Sequence, residues 1–133
     1  DAMFKSTNEV YGTSYSSRIE DPKYQFAGKT GTAQVKRITE TERELDRQLE
    51  EIPYKERDHA WYIAFGPYKN PRYAMTVLVE HGGSGSLAAA PIAKKLFKKV
   101  IDRHEERESI RLNDTIISWE IIAHLEIDHF FKK

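Results

Sequence analysis

The sequence predicts an α+β domain, an antiparallel sheet of about three strands packed with helices. Three observations carry that prediction. Two alternating extended runs, residues 59–66 and 72–80, are joined by a turn rich in proline. An earlier run, near 24–36, reads as another strand and holds the tetrad Lys29-Thr30-Gly31-Thr32. A helical stripe begins near Ser86, directly after the hairpin.

The first strand contains Tyr24-Gln25-Phe26-Ala27-Gly28-Lys29-Thr30-Gly31-Thr32-Ala33-Gln34-Val35. Side chains alternate on a strand, so Lys29 projects to one side and Thr30 and Thr32 to the other. Gly31 leaves its face open to close approach by another backbone. In the second strand Trp61, Ile63 and Phe65 share a face. The third carries Tyr73, Met75, Val77 and Val79 on one face and Ala74, Thr76 and Leu78 on the other. Apolar on both sides, it is expected to be covered on both and not to lie at a free edge. Gly66-Pro67-Tyr68-Lys69-Asn70-Pro71 supplies the turn chemistry between the two.

The helix from near Ser86 repeats Ala89, Ala93, Phe97 and Ile101 every four residues, with Ile92, Leu96 and Val100 beside them. Lys94, Lys95, Lys98 and Lys99 form its solvated face. Pro91 is tolerated in the first turn, where its missing N–H loses little. Ala88, Ala89 and Ala90 permit close approach to a sheet. The charged run 102–111 can continue this helix straight on. A further helix is expected over 113–131, capped by Asn113 or Asp114, with Ile117, Ile121 and Leu125 as its stripe. So much apolar surface should pack on its own domain or on another chain, and exchange with a second copy, making a homo-oligomer, is the favoured version. Residues 37–58 are dense in charge, with Leu45 and Leu49 four apart, and predict a short exposed helix or an ordered loop.

Composition narrows the function. Among 133 residues, 21 basic side chains balance 21 acidic ones, which argues against nucleic acid as a partner. With no cysteine there is no disulfide and no thiolate metal site. His59, His81, His104, His124 and His129 show no metal-binding spacing, and His81, where a strand meets a glycine-rich loop, is expected to support a site from behind. No apolar stretch reaches the ~20 residues of a membrane span, so the piece itself is expected to be soluble. The opening Asp1-Ala2-Met3-Phe4 lacks an initiator methionine and reads as part of a longer chain.

Two cofactor motifs fail on inspection. Gly28-Lys29-Thr30 would need a glycine five residues earlier to be a phosphate-binding loop, and Lys23 stands there. Gly83-Ser84-Gly85-Ser86-Leu87-Ala88 fits a dinucleotide fingerprint, but the helix runs on into Asp102-Arg103-His104-Glu105 and not into a parallel strand. No cofactor and no metal are expected.

Lys-Thr-Gly is one of three short elements that mark serine acyl-transferases acting on penicillin-like substrates. Four segments in register extend it: Gly28 to Val35, His59 to Pro67, Val77 to Gly82, and Ala88-Ala89-Ala90-Pro91-Ile92-Ala93, preceded by a Gly12-Thr13 turn. In order and spacing they resemble class B penicillin-binding proteins, over roughly residues 1–100. The resemblance implies the C-terminal portion of a transpeptidase domain over 1–100, a partial penicillin-binding and β-lactamase-like fold, with a helical extension over 101–133. It implies a peptidoglycan D,D-transpeptidase at the periplasmic face of the bacterial inner membrane, acting on D-Ala-D-Ala stem peptides and acylated by β-lactams.

The same resemblance assigns roles. Lys29 supplies positive potential to the substrate's terminal carboxylate, and the hydroxyls of Thr30 and Thr32 bond near it. Gly31 leaves room for the substrate backbone, and the Thr32 N–H is half of an oxyanion hole. The family's nucleophile sits in Ser-x-x-Lys and its proton relay in Ser-x-Asn, and both are expected to lie outside this chain. No serine here has a lysine three positions on, and Ser-Asn and Ser-Asp-Asn are absent. The chain alone is therefore expected to be inactive. The alternative is a non-catalytic module of the same fold that binds another protein.

Overall fold

The computed structural model describes residues 1–37 and 48–130, residues 114–130 by their backbone alone. It contains two compact units, Asp1–Lys98 and Lys99–Lys133. The first unit opens with helix α1 (Ala2–Asn8) and a 3₁₀ turn at Tyr15–Ser17, then strand β1 (Ala27–Ala33). Two 3₁₀ turns, Leu49–Glu51 and Tyr54–Glu56, precede β2 (His59–Gly66) and β3 (Tyr73–Val79). A π-helical turn, Gly85–Ala89, leads into helix α2 (Ala90–Phe130). The strands form one sheet in the order β1-β2-β3, antiparallel throughout. The expected α+β architecture and the three strands are present, β1 shorter at both ends than its apolar pattern. The expected helix or loop at 37–58 lies in part outside the described residues, and its second half forms the two 3₁₀ turns.

Register assigns the two faces. Gly28, Thr30 and Thr32 share one with Ala60, Tyr62, Ala64, Met75, Val77 and Val79. Lys29, Gly31, Trp61, Ile63, Phe65, Thr76 and Leu78 share the other. The core lies on the first, where Ala60, Tyr62, Ala64 and Val77 are buried with Phe26, Ala89, Ala90, Ala93 and Phe97. Phe26 stacks on Phe97 with ring centroids 5.0 Å apart and meets Tyr62 edge-on at 6.4 Å. Small residues dominate this face, which lets a helix approach closely. The second face holds the larger alternating residues yet leaves Ile63 48% and Leu78 43% exposed. An open pocket of about 360 Å³ lies there, lined in part by Met3, Ile63, Phe65, Ala74 and Thr76.

Two expectations need correction. β3 is an edge strand of the described sheet, and Ala74, Thr76 and Leu78 are exposed. An apolar pattern on both faces does not by itself show which neighbours the chain supplies. The break before a separate 113–131 helix is also absent, because α2 runs continuously from Ala90 to Phe130. No glycine or proline follows Pro91. A mid-helix Asn costs a fraction of a kcal/mol, roughly 0.7, whereas a new helix needs a fresh nucleus. Along its charged stretch His104 pairs with Glu108 at 3.0 Å, one turn on. Among the described residues no helix is long and apolar enough to cross a membrane.

Candidate active-site wall

The tetrad lies on β1, a strand whose outer edge is treated in two ways. Beside its first residues runs α1, which was not anticipated from the sequence. Thr7 Oγ1 accepts the Gly28 N–H at 3.0 Å and lies 3.3 Å from the Gly28 carbonyl. Asn8 Nδ2 donates to the Phe26 carbonyl at 2.9 Å. Two side chains thus take the place of a neighbouring strand. Tyr62 reaches across the sheet to the same point, its hydroxyl 2.8 Å from Thr7 Oγ1 and 3.0 Å from Ser14 Oγ. Gly28 is the residue that permits this, since a Cβ there would fall on the Tyr62 ring and hydroxyl. Burial pushes the Tyr62 phenol above its ordinary value of 10.0, the bonds from Ser14 and Thr7 opposing that shift.

From Lys29 onward the edge changes character. Backbone groups alternate in direction along an antiparallel strand, so those of Thr30 and Thr32 point the same way as those of Gly28, away from β2. Lys29 is exposed and projects from the opposite face to Thr30, as expected, but its Nζ curls over the edge. It donates to the Thr30 carbonyl at 2.9 Å and lies 3.4 Å from Thr30 Oγ1. Thr30 is half-buried, Gly31 half-buried and Thr32 exposed. The structure therefore brings together an ammonium, a hydroxyl and outward-facing backbone groups along one short edge. A carboxylate is the chemistry this combination favours.

The π-helical turn closes one side. Gly85 packs on β1 so closely that a Cβ would stand 2.9 Å from the Gly31 carbonyl and 3.2 Å from Thr30 Cβ. Its own preceding loop is tied to the segment before β2. His81 Nδ1 donates to the Arg57 carbonyl at 3.0 Å, and the His81 N–H donates to His59 Nδ1 at 2.9 Å. His81 thus supports the loop from behind and does not reach the tetrad by any bond the structure shows.

A second element also needs correction. Ser6-Thr7-Asn8 fits the spelling Ser-x-Asn, although that element was expected outside the chain. It lies on α1 and is engaged in packing: Ser6 Oγ is 3.1 Å from Thr13 Oγ1, Thr7 holds Gly28, and Asn8 holds Phe26. The spelling is met by residues that seal a strand edge.

The sequence model of the penicillin binding protein transpeptidase domain matches residues 1–98. The chain belongs to that family. Its similarity is to the penicillin-binding protein 2 branch. The peptidoglycan D,D-transpeptidase MrdA of Salmonella typhimurium is 39% identical over 101 residues, 76% of this chain and 16% of that protein. The Haemophilus influenzae MrdA is 39% identical over 95 residues, 71% of this chain and 14% of that protein. Among solved structures, the complex of penicillin-binding protein 2 with MreC from Helicobacter pylori superposes with a TM-score of 0.59 at 37% identity, covering 75% of this chain and 16% of that one. The chain thus spans about a sixth of the length of these relatives, and corresponds to part of a D,D-transpeptidase domain.

Proposed function

We propose that this chain supplies one wall of a serine-type D,D-transpeptidase active site, built by Lys29, Thr30, Gly31 and Thr32. The observation that carries the reading is the outward edge of β1, where the Thr30 and Thr32 backbone and the Lys29 ammonium converge. Lys29 draws the terminal carboxylate of a D-Ala-D-Ala stem peptide, and the two threonine hydroxyls fix it. Gly31 lets the peptide backbone lie against the strand. The Thr32 N–H stabilises the oxyanion that forms when a serine Oγ attacks the scissile carbonyl, a term of roughly 3–4 kcal/mol for one donor. The terminal D-Ala leaves, an amine of a neighbouring stem then displaces the serine, and the cross-link forms. β-Lactams acylate the same serine.

On this reading the serine and its lysine come from outside residues 1–133, residues 1–100 complete the domain, and 101–133 are an extension of it. The assembled enzyme works at the periplasmic face of the inner membrane, as a builder of the cell wall. The isolated chain is inert: incubated with a fluorescent penicillin it takes no label that survives denaturation. A chimera in which residues 1–98 replace the matching part of the Salmonella MrdA takes the label, and Lys29→Ala reduces it sharply. Stoichiometric labelling of the isolated chain, or full labelling of the Lys29→Ala chimera, overturns the assignment.

The apolar face with exposed Ile63 and Leu78 and half-buried Trp61 favours a second reading, a module that docks on another protein or on a second copy of this chain. Sedimentation separates the cases. A clean 15.5 kDa species at micromolar concentration removes the homo-oligomer.

A further inference from the structure

We propose that Arg57-Asp58-His59 is a clamp that positions the Lys-Thr-Gly strand against the 81–85 loop, and that protonation of His59 opens it. Four hydrogen bonds converge on these three consecutive residues. Asp58 Oδ1 accepts the Val35 N–H at 3.1 Å, just beyond the end of β1. The Asp58 carbonyl accepts the Gly83 N–H at 2.8 Å. The Arg57 carbonyl accepts His81 Nδ1–H at 3.0 Å, and His59 Nδ1 accepts the His81 N–H at 2.9 Å. One short segment therefore holds both the exit of β1 and the loop that carries Gly85 onto Thr30 and Gly31.

The loop is held in a conformation that needs holding. His81 has φ 54°, a left-handed value that few residues other than glycine adopt without cost. What retains it on the His59 side is an imidazole nitrogen acting as acceptor. A proton added at Nδ1 turns that acceptor into a donor facing a donor, and the bond is lost. Imidazole is the side chain whose charge changes between pH 5 and 8.

Among the described residues, several groups surround the two rings. The His59 and His81 rings lie 4.7 Å apart. Tyr54 packs against His81 at 4.9 Å, and the Arg57 guanidinium lies over Tyr54 at 5.9 Å while its Nε donates to the Ile52 carbonyl. The Asp58 carboxylate faces Val35, and Glu80 adjoins His81 in the chain. β1 presents Ala33 opposite His59 and adds no charge. Closure therefore requires a neutral His59, and acid favours release.

The proposal rests on the transpeptidase reading only for its consequence, a cleft wall that loosens in acid. The clamp itself is tested without substrate. Amide exchange of the whole chain, followed by NMR from pH 8 to pH 5 and corrected for intrinsic rates, reads the His81 and Gly83 amides beside the His59 ring signals. The expected result is a loss of protection of roughly tenfold at His81 and Gly83, with the midpoint of the His59 ring titration. The Tyr62 amide, at the centre of the sheet, keeps its protection. His59→Asn retains an acceptor oxygen near the Nδ1 position and cannot gain charge, so its His81 protection stays level across the range. Unchanged His81 protection through the His59 titration overturns the proposal. So does a loss that Tyr62 shares, or one that persists in His59→Asn.

Discussion

Between Phe26 and Gly28 the outer edge of the first strand is filled by the Thr7 and Asn8 side chains, whereas from Lys29 to Thr32 the same edge carries a curled lysine and outward backbone groups. The two stretches are continuous in backbone and differ in what lies alongside. An unpaired strand edge invites another extended chain to pair with it, and proteins normally block it. Among the described residues the block stops where the tetrad begins. On the proposed reading the difference serves a peptide-binding wall: one part is fixed by the protein's own side chains, and the next receives an extended ligand by strand addition.

Substitutions in the sealed stretch should break the comparison by unfolding it. Phe26 is fully buried between Phe97 and Tyr62, so Phe26→Ala removes a ring that α2 and the sheet both pack on. The expected cost is about 3–5 kcal/mol, read as a fall in the urea midpoint with unchanged slope. Gly28→Ala is smaller but more local. Its methyl meets the Tyr62 hydroxyl and must push either the ring or β1 aside, at about 1–3 kcal/mol. A Gly28→Ala chain as stable as the original would show that Tyr62 does not hold this edge.

Much of this was legible in the sequence, and the illegible part has a physical cause. Period-2 alternation gave the hairpin, and the four-residue spacing through Ala89, Ala93 and Phe97 marked the side that the π-helical turn and the start of α2 bury. The tetrad was legible because its residue types are unusual together. The sealing of its edge was not. Thr7, Ser14 and Tyr62 are separated by up to 55 positions, and hydroxyls carry no periodicity that would announce a buried cluster. A seven-residue helix such as α1 is also too short for a pattern to emerge. The continuous α2 was obscured by Asn113-Asp114, which look like a cap yet have no preceding stop signal. Which face of β2 enters the core was equally hidden, since Trp61, Ile63 and Phe65 are the more apolar set and Ala60, Tyr62 and Ala64 are the buried one.

Tyr62→Phe sharpens the comparison further, because it keeps the ring that packs on Phe26 and removes only the hydroxyl. Thr7 and Ser14 each lose a bond at a site with no exposure, a cost of about 1–2 kcal/mol at neutral pH. The variant also changes the alkaline limb. The Tyr62 phenol is raised in the folded chain by burial, so at and above pH 10.0 the unfolded chain ionises first and stability falls as pH rises. Below that both states are neutral at this group and it contributes no slope. Thermal melts from pH 8 to pH 11 should show the wild-type chain losing more stability above pH 10.0 than Tyr62→Phe. Parallel alkaline limbs would mean that the phenol is not held neutral at the edge.

The smallest expected effect on stability lies in the open stretch, and it is the one that separates holding a fold from serving a ligand. Lys29 is exposed, and among the described residues its ammonium reaches the carbonyl and hydroxyl of its own neighbour. Removing it takes away little packing and two solvent-facing hydrogen bonds to one neighbour, so Lys29→Ala should change unfolding free energy by no more than about 0.5 kcal/mol. The same substitution in the Salmonella chimera should lower the rate of penicillin acylation by about 10²-fold, since a charge placed for a carboxylate acts where the ligand binds. The two stretches of β1 are then distinguished by opposite pairs of outcomes. Gly28→Ala shifts the melt and Lys29→Ala leaves it in place, while acylation falls in the second with the fold intact. A Lys29→Ala chain that melts as early as Gly28→Ala would show that the edge is structural along its whole length, and that the tetrad holds the sheet together without serving a substrate.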